Sequence, residues 1–299
     1  MPDGKELSMG QGAVAVEKLH AISDLIRLPR QQGTLLLLWP AMWSLFMASG
    51  GEPGLKLLFV FTAGTFLMRS AGCAINDIAD RNFDPFVERT RTRPLANGRL
   101  RVKEAALVFA ALSLAAFALV LQLNRLTILL SFAGLALAGA YPFVKRVSHF
   151  PQVVLGMAFG WGAVMAWSAA KGEVGAAALL IFVANIFWST AYDTIYALMD
   201  REDDRRVGVK STAIFFGESV HKALFILYIL FALALGAGAA LAGLGAVFFS
   251  GLAVALALFL AVAASVRKNA TREAASRGFQ ANAFIGGLIL AFIVLDLNL

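Results

Sequence analysis

The sequence holds one cysteine, Cys73, and three scattered histidines, His20, His149 and His221, among its 299 residues. A lone thiol excludes an internal disulfide and a metal centre built on clustered thiolates, and isolated imidazoles argue against zinc. Charge is also scarce. Asp, Glu, Lys and Arg make up 15% and hydrophobic residues 59%, against about 25% and roughly 45–50% in soluble domains. These shortages exclude an ordinary soluble enzyme, a secreted disulfide scaffold and a disordered chain. A mean hydropathy of +0.74, with the apolar residues in long runs, points to a membrane instead.

A membrane-crossing helix needs about 20 mostly apolar residues. Nine stretches qualify: 33–51, 55–76, 104–123, 126–143, 151–170, 174–198, 219–242, 244–266 and 278–298. The expected fold is therefore all-α, a polytopic bundle of nine transmembrane helices forming one domain over 1–299, with an N-terminal tail at 1–32. The tail carries Glu17, Lys18, Asp24, Arg27 and Arg30 and no apolar run before Gly33, so no cleavable signal peptide is expected. The net charge of +7 could suggest a nucleic-acid partner. Its placement decides otherwise. Of the 26 Lys and Arg, all but Lys56, Arg125 and Lys171 fall on one side of the predicted bundle, which by the positive-inside rule predicts a cytoplasmic N-terminus and cytoplasmic basic loops. No nucleic-acid-binding motif accompanies the charge, and no nucleic-acid partner is expected.

The scarce acids are concentrated on that same side. Asn76-Asp77-Ile78-Ala79-Asp80-Arg81-Asn82-Phe83-Asp84 follows the second span in the pattern N-D-x-x-D-x-x-x-D. At about 100° per residue, Asn76, Asp77, Asp80 and Asp84 share one face of a helix continuing out of that span; Pro85 disfavours helix at Asp84, the frayed end. After the sixth span, Asp193, Tyr196, Asp200 and Asp204 again share a face. The two clusters begin 124 residues and four helices apart (Asn76, Asp200), which hints at two similar four-helix halves plus a ninth helix. Solvated helix caps balanced by Arg89, Arg91, Arg205 and Arg206 are the plainer alternative. Two clusters at helical spacing on one membrane side favour a shared cation site. Oxygen donors without Cys or His suit Mg2+ or Ca2+, and a site with few carboxylates and places for waters and phosphate suits Mg2+ best, bridging a diphosphate as its bond to carbon breaks.

The basic candidates keep two readings each. Arg69 lies within span 2, seven residues before Asn76; it is either functional or snorkels to the interface. Lys145 and Arg146 close span 4 as topology anchors, or Lys145, one turn from Tyr141, joins it in a cavity. Acids at one membrane face also argue against an ion-coupled transporter, whose acids lie near the midplane.

Asn76 to Asp84 and Asp200 to Asp204 resemble the two aspartate-rich motifs of the UbiA superfamily of intramembrane aromatic prenyltransferases, and Tyr141 with Lys145 matches its Y-x-x-x-K element. Leu37 to Pro40, Met68 to Cys73, Arg93 to Leu95, Pro151 to Gly156 and Tyr192 to Gly217 are similar to the bacterial branch that prenylates 4-hydroxybenzoate in ubiquinone synthesis. The resemblance implies a helical bundle around a cavity open laterally to lipid, in the bacterial inner membrane. It implies a polyprenyl diphosphate donor and 4-hydroxybenzoate acceptor, with Asn76, Asp80, Asp84, Asp200 and Asp204 holding Mg2+ and the diphosphate. Lys145 and Arg81 would meet diphosphate oxygens, Tyr141 the allylic carbon, and Arg146 the benzoate carboxylate; Arg69 and Asp77 complete the expected substrate contacts. A relative using another acceptor, such as a homogentisate, dihydroxynaphthoate or haem, is the nearest alternative.

Overall fold

A computed structural model describes residues 4–266 and 271–299; residues 1–3 and 267–270 of the expected domain lie outside the described residues. Among the described residues every regular element is a helix. The chain runs α1 (Gly4–Leu25), α2 (Gln32–Ala48), α3 (Leu55–Asp80), α4 (Val102–Val120), α5 (Arg125–Val144), α6 (Pro151–Lys171), α7 (Ala176–Ala197), α8 (Arg201–Val207), α9 (Thr212–Phe216), α10 (Val220–Leu241), α11 (Ala246–Ser265) and α12 (Arg272–Leu297). Among the described residues eight helices are long and apolar enough to cross a membrane, and the 17-residue α2 is a shorter apolar ninth. This is a multi-pass membrane bundle. Most predicted span ends lie within four residues of the observed ones. The exception is α12, which begins at Arg272, six residues before the predicted 278, because Thr271 caps it by accepting a hydrogen bond from Ala274 N.

Two further departures matter for function. The expected tail is mainly α1, ending in a turn where Arg27 takes a positive φ of 58°, a left-handed conformation that costs a non-glycine residue about 1 kcal/mol. The second acidic segment is not one helix. α7 stops at Ala197 and the chain restarts in the short α8.

α7 is the hub of the bundle, packing against α6, α10 and α12. Lipid is as apolar as a leucine side chain, so close packing must hold such helices together. Gly156 and Gly160 supply it as a G-x-x-x-G pair on α6: a Cβ at Gly156 would stand 2.9 Å from the Ile186 backbone of α7. Trp43, Trp188, Phe231 and Phe259 form an aromatic core. Its buried polar atoms are satisfied, with Trp188 Nε1 and Tyr228 OH both donating to Asn282 Oδ1 at 2.9 and 3.0 Å.

α4 and α5 are different, with only 11% of their apolar windows buried. Between them and α3 and α6 lies a cavity of about 1120 Å³. Leu114, Phe132 and Leu135 line it yet remain 68%, 56% and 42% exposed, so the cavity wall is open at α4 and α5.

Candidate active site

The site forms where α3 and α7 end. The 26-residue α3 carries Asn76, Asp77 and Asp80 on its last turns. The helix ends at Asp80, and Asp84 opens a 3-10 turn whose second residue is Pro85, which cannot extend an α-helix. From the other side, α7 brings Asp193 and Tyr196, and the turn into α8 brings Asp200 and Asp204. Left-handed Gly208 closes α8, allowing Val209 N to donate to Asp204 O at 2.9 Å.

These residues wall a small polar compartment of about 140 Å³, lined by Asn76, Asp80, Asp84, Arg89, Arg93, Tyr141, Lys145, Asp193, Tyr196, Asp200 and Asp204. Gln152 roofs it by accepting from Thr212 N at 3.0 Å, while Lys210 N donates to Lys145 O at 3.1 Å. Asn76, Arg89, Arg93, Tyr141, Asp193 and Tyr196 also line the large cavity. The two spaces therefore meet at these side chains.

Most of the acids are held by cations. Lys145 Nζ lies 2.5 Å from Asp80 Oδ2. Arg93 reaches Asp84 at 3.0 Å and Asp77 at 3.3 Å. Arg89 Nε donates to both Asp200 oxygens at 2.9 and 3.0 Å, and its NH1 donates to Tyr196 OH at 2.6 Å. Asp84 is still pushed above the ordinary carboxylate range by burial, against the lowering effect of Arg93. Asp204 is pushed up to about 7 by burial and then by the neighbouring Asp200 charge.

The donor set fits a hard divalent cation. Every candidate ligand is an oxygen, and Asp80 Oδ1 is buried without a hydrogen-bond partner. Among the described residues no three acids converge closely enough to hold an ion alone. That spacing suits Mg2+, which keeps several waters and binds through one or two carboxylates plus substrate phosphates.

Three expected residues stand away from both spaces. Asp77 is fully buried and tied to Arg27 at 2.7 Å as well as to Arg93. Arg81 is exposed, its NH1 donating to Ile78 O at 2.9 Å. Arg146 is exposed too; it donates to Ala79 O and lies over the rings of Phe83 and Phe143. Arg69, by contrast, lines the large cavity with Tyr141, Tyr192 and Asp193. Its NH1 contacts Cys73 Sγ, its Nε is buried without a partner, and no carboxylate pairs with it among the described residues.

Residues 37–288 match the model of the UbiA prenyltransferase family. The chain belongs to that family. It is 49% identical over 295 residues to the 4-hydroxybenzoate octaprenyltransferase of Xanthomonas campestris pv. campestris (strain B100), covering 99% of this chain and 98% of the relative. It is 52% identical over 250 residues to the protein of the same name from Providencia stuartii, covering 84% and 87%. Among solved structures it resembles the apo UbiA homologue of Aeropyrum pernix K1, with a TM-score of 0.76 at 28% identity over 89% of this chain and 98% of that one. The Archaeoglobus fulgidus UbiA homologue bound to GPP and Mg2+ shares the fold, with a TM-score of 0.66 at 19% identity over 93% and 100%.

This prenyltransferase site also contains residues that sequence spacing did not single out. Spacing leaves the many arginines of their loop as topology charges of which one or two could close over a diphosphate, without saying which; the structure puts Arg89 and Arg93 in the lining of the polar compartment. Asp193 stood within the second cluster's face, but only the structure places it where the two spaces meet.

Proposed function

We propose that the protein transfers a polyprenyl chain from polyprenyl diphosphate to the ring carbon ortho to the hydroxyl of 4-hydroxybenzoate, releasing diphosphate, with Mg2+ as cofactor and in ubiquinone biosynthesis. The observation that carries the reading is a compartment lined by acids and cations opening into a large apolar cavity whose wall is exposed at α4 and α5. Such a shape takes an amphiphile: the tail enters from lipid and the diphosphate lodges at the polar end. The curated relatives' names support the acceptor. We read the chain as one catalytic domain of the bacterial inner membrane, its N-terminus and site loops cytoplasmic, following the basic residues.

In this reading Asn76, Asp80, Asp84, Asp200 and Asp204 would hold Mg2+ and, with it, the diphosphate. The bound ion neutralises charge that grows on the leaving group. Lys145, Arg89 and Arg93 lie among those acids and can turn from carboxylate to diphosphate oxygens when substrate enters. Tyr141 lines both spaces and offers its ring to the allylic cation. The apolar walls exclude water that would otherwise quench that cation. Arg69 is a cavity-lining cation that no carboxylate pairs with among the described residues and whose Nε lacks a partner, so it can meet the benzoate carboxylate, whereas Arg146 lines neither space.

Membranes containing the protein, given radiolabelled 4-hydroxybenzoate and a polyprenyl diphosphate, test the reading. Label moves into the organic phase with Mg2+ and stays in water with EDTA. Failure to move under both conditions would refute it.

A further inference from the structure

We propose that Asp193 is the base that takes the ring proton after the new carbon–carbon bond has formed; this rests on the function proposed above. The prenylation step leaves a proton to be placed. The allylic C–O bond breaks and its electron pair leaves on the diphosphate oxygen. A π pair of the phenol ring then forms the C–C bond, giving an arenium ion. Its ortho C–H must break, returning that pair to the ring, and the proton needs an acceptor within reach of the acceptor's binding space.

Two carboxylates line the large cavity, Asp24 and Asp193. Asp24 is held by Arg99 at 2.8 Å. Asp193 makes no hydrogen bond or ion pair among the described residues, although it lies within the field of Arg69, Arg89 and Lys145. The other acids are differently placed. Asp80, Asp84 and Asp200 are tied to Lys145, Arg93 and Arg89, and they and Asp204 line only the polar compartment. Asp77 lines neither space.

Asp193 therefore stands where the tail-bearing cavity meets the polar compartment, beside Tyr141 and Tyr196, which line both spaces too. A largely buried carboxylate without a direct partner costs stability; Arg69, Arg89 and Lys145 act on it only through space, and no side chain among the described residues supplies a direct counter-charge. A cationic intermediate would. The arenium ion brings positive charge to this position and its proton neutralises the acid. Neither oxygen must first give up a partner.

The test uses the full-length protein in membranes, with 4-hydroxybenzoate carrying either hydrogen or deuterium at both ortho positions. With the unaltered protein, the two acceptors are expected to react equally fast, C–O ionisation being the slower step. Asp193→Asn is expected to lower kcat about 100-fold or more, the usual contribution of a general base. Proton removal then limits the rate, so the deuterated acceptor reacts more slowly. Asp193→Glu keeps a carboxylate and recovers part of the rate with a smaller isotope effect. Unchanged thermal stability and unchanged binding of a non-hydrolysable thiolo analogue of the allylic diphosphate show that the Asn variant is folded. A wild-type rate in Asp193→Asn, or a loss of rate without an isotope effect, overturns the assignment while leaving the proposed function standing. No prenylated product from the unaltered protein overturns the functional reading, and the assignment with it.

Discussion

Acids and bases are interleaved around the polar compartment, and each kind needs the other. Removing either member of a pair leaves its partner's charge uncompensated, at a cost of about 3–5 kcal/mol where the pair is fully buried and less where water reaches it; Lys145 with Asp80 and Arg89 with Asp200 are part-buried pairs of the second kind. Substrate would bring both missing partners at once, anionic diphosphate for the cations and metal for the acids. Asp80→Ala and Asp200→Ala are thus expected to abolish Mg2+-dependent turnover while protein still folds and inserts, as read by assay and by detergent-solubilised size exclusion. Undiminished turnover in either would remove that residue from the metal site. Arg69→Leu is predicted to raise KM for the acid acceptor about 10- to 100-fold, since a hydrogen bond to a charged group is worth about 1.5–3 kcal/mol. Arg146→Ala should leave that KM nearly unchanged, because its guanidinium is spent on Ala79 O and two aromatic faces. Equal effects of the two changes would refute this division.

At the scale of elements, close packing at small residues ties the catalytic helix α7 to α6. Gly156→Leu would drive a side chain into the Ile186 backbone, and overpacking of this kind costs about 1–3 kcal/mol. The expected outcome is a Tm lowered by several degrees with parallel loss of activity; an unchanged Tm would show that the helices separate freely. Apolar length alone located the spans, because in lipid only a helix satisfies every backbone polar group. Spacing also put Asn76, Asp77 and Asp80 on the last turns of one helix, whereas Asp84 lies beyond the helix end, in the 3-10 turn that holds Pro85. The break between α7 and α8 escaped it: Asp200 and Asp204 keep helical intervals across a turn, and periodicity cannot distinguish the two. That Lys145 lines the polar compartment while Arg146 does not was hidden as well, since neighbours at a helix end differ by about 100°. Here Val144 ends α5 and Lys145 turns inward to Asp80.

For the whole molecule, scarcity of charge and its uneven placement are one design. The bundle exposes apolar surface on α4 and α5, leaves a cavity behind them, and gathers its acids and cations at one end of that cavity. The N-terminal helix joins this end through strained Arg27, which holds buried Asp77, and through Asp24, which holds Arg99. The central claim is that this end carries out prenyl transfer onto a phenolic acid. Its most direct test is mass and NMR analysis of the product made by purified protein from 4-hydroxybenzoate and a polyprenyl diphosphate with Mg2+. A single product with the prenyl chain on the carbon ortho to the hydroxyl, absent when EDTA replaces Mg2+, is predicted. A chain joined through oxygen, or the same product in EDTA, would contradict it.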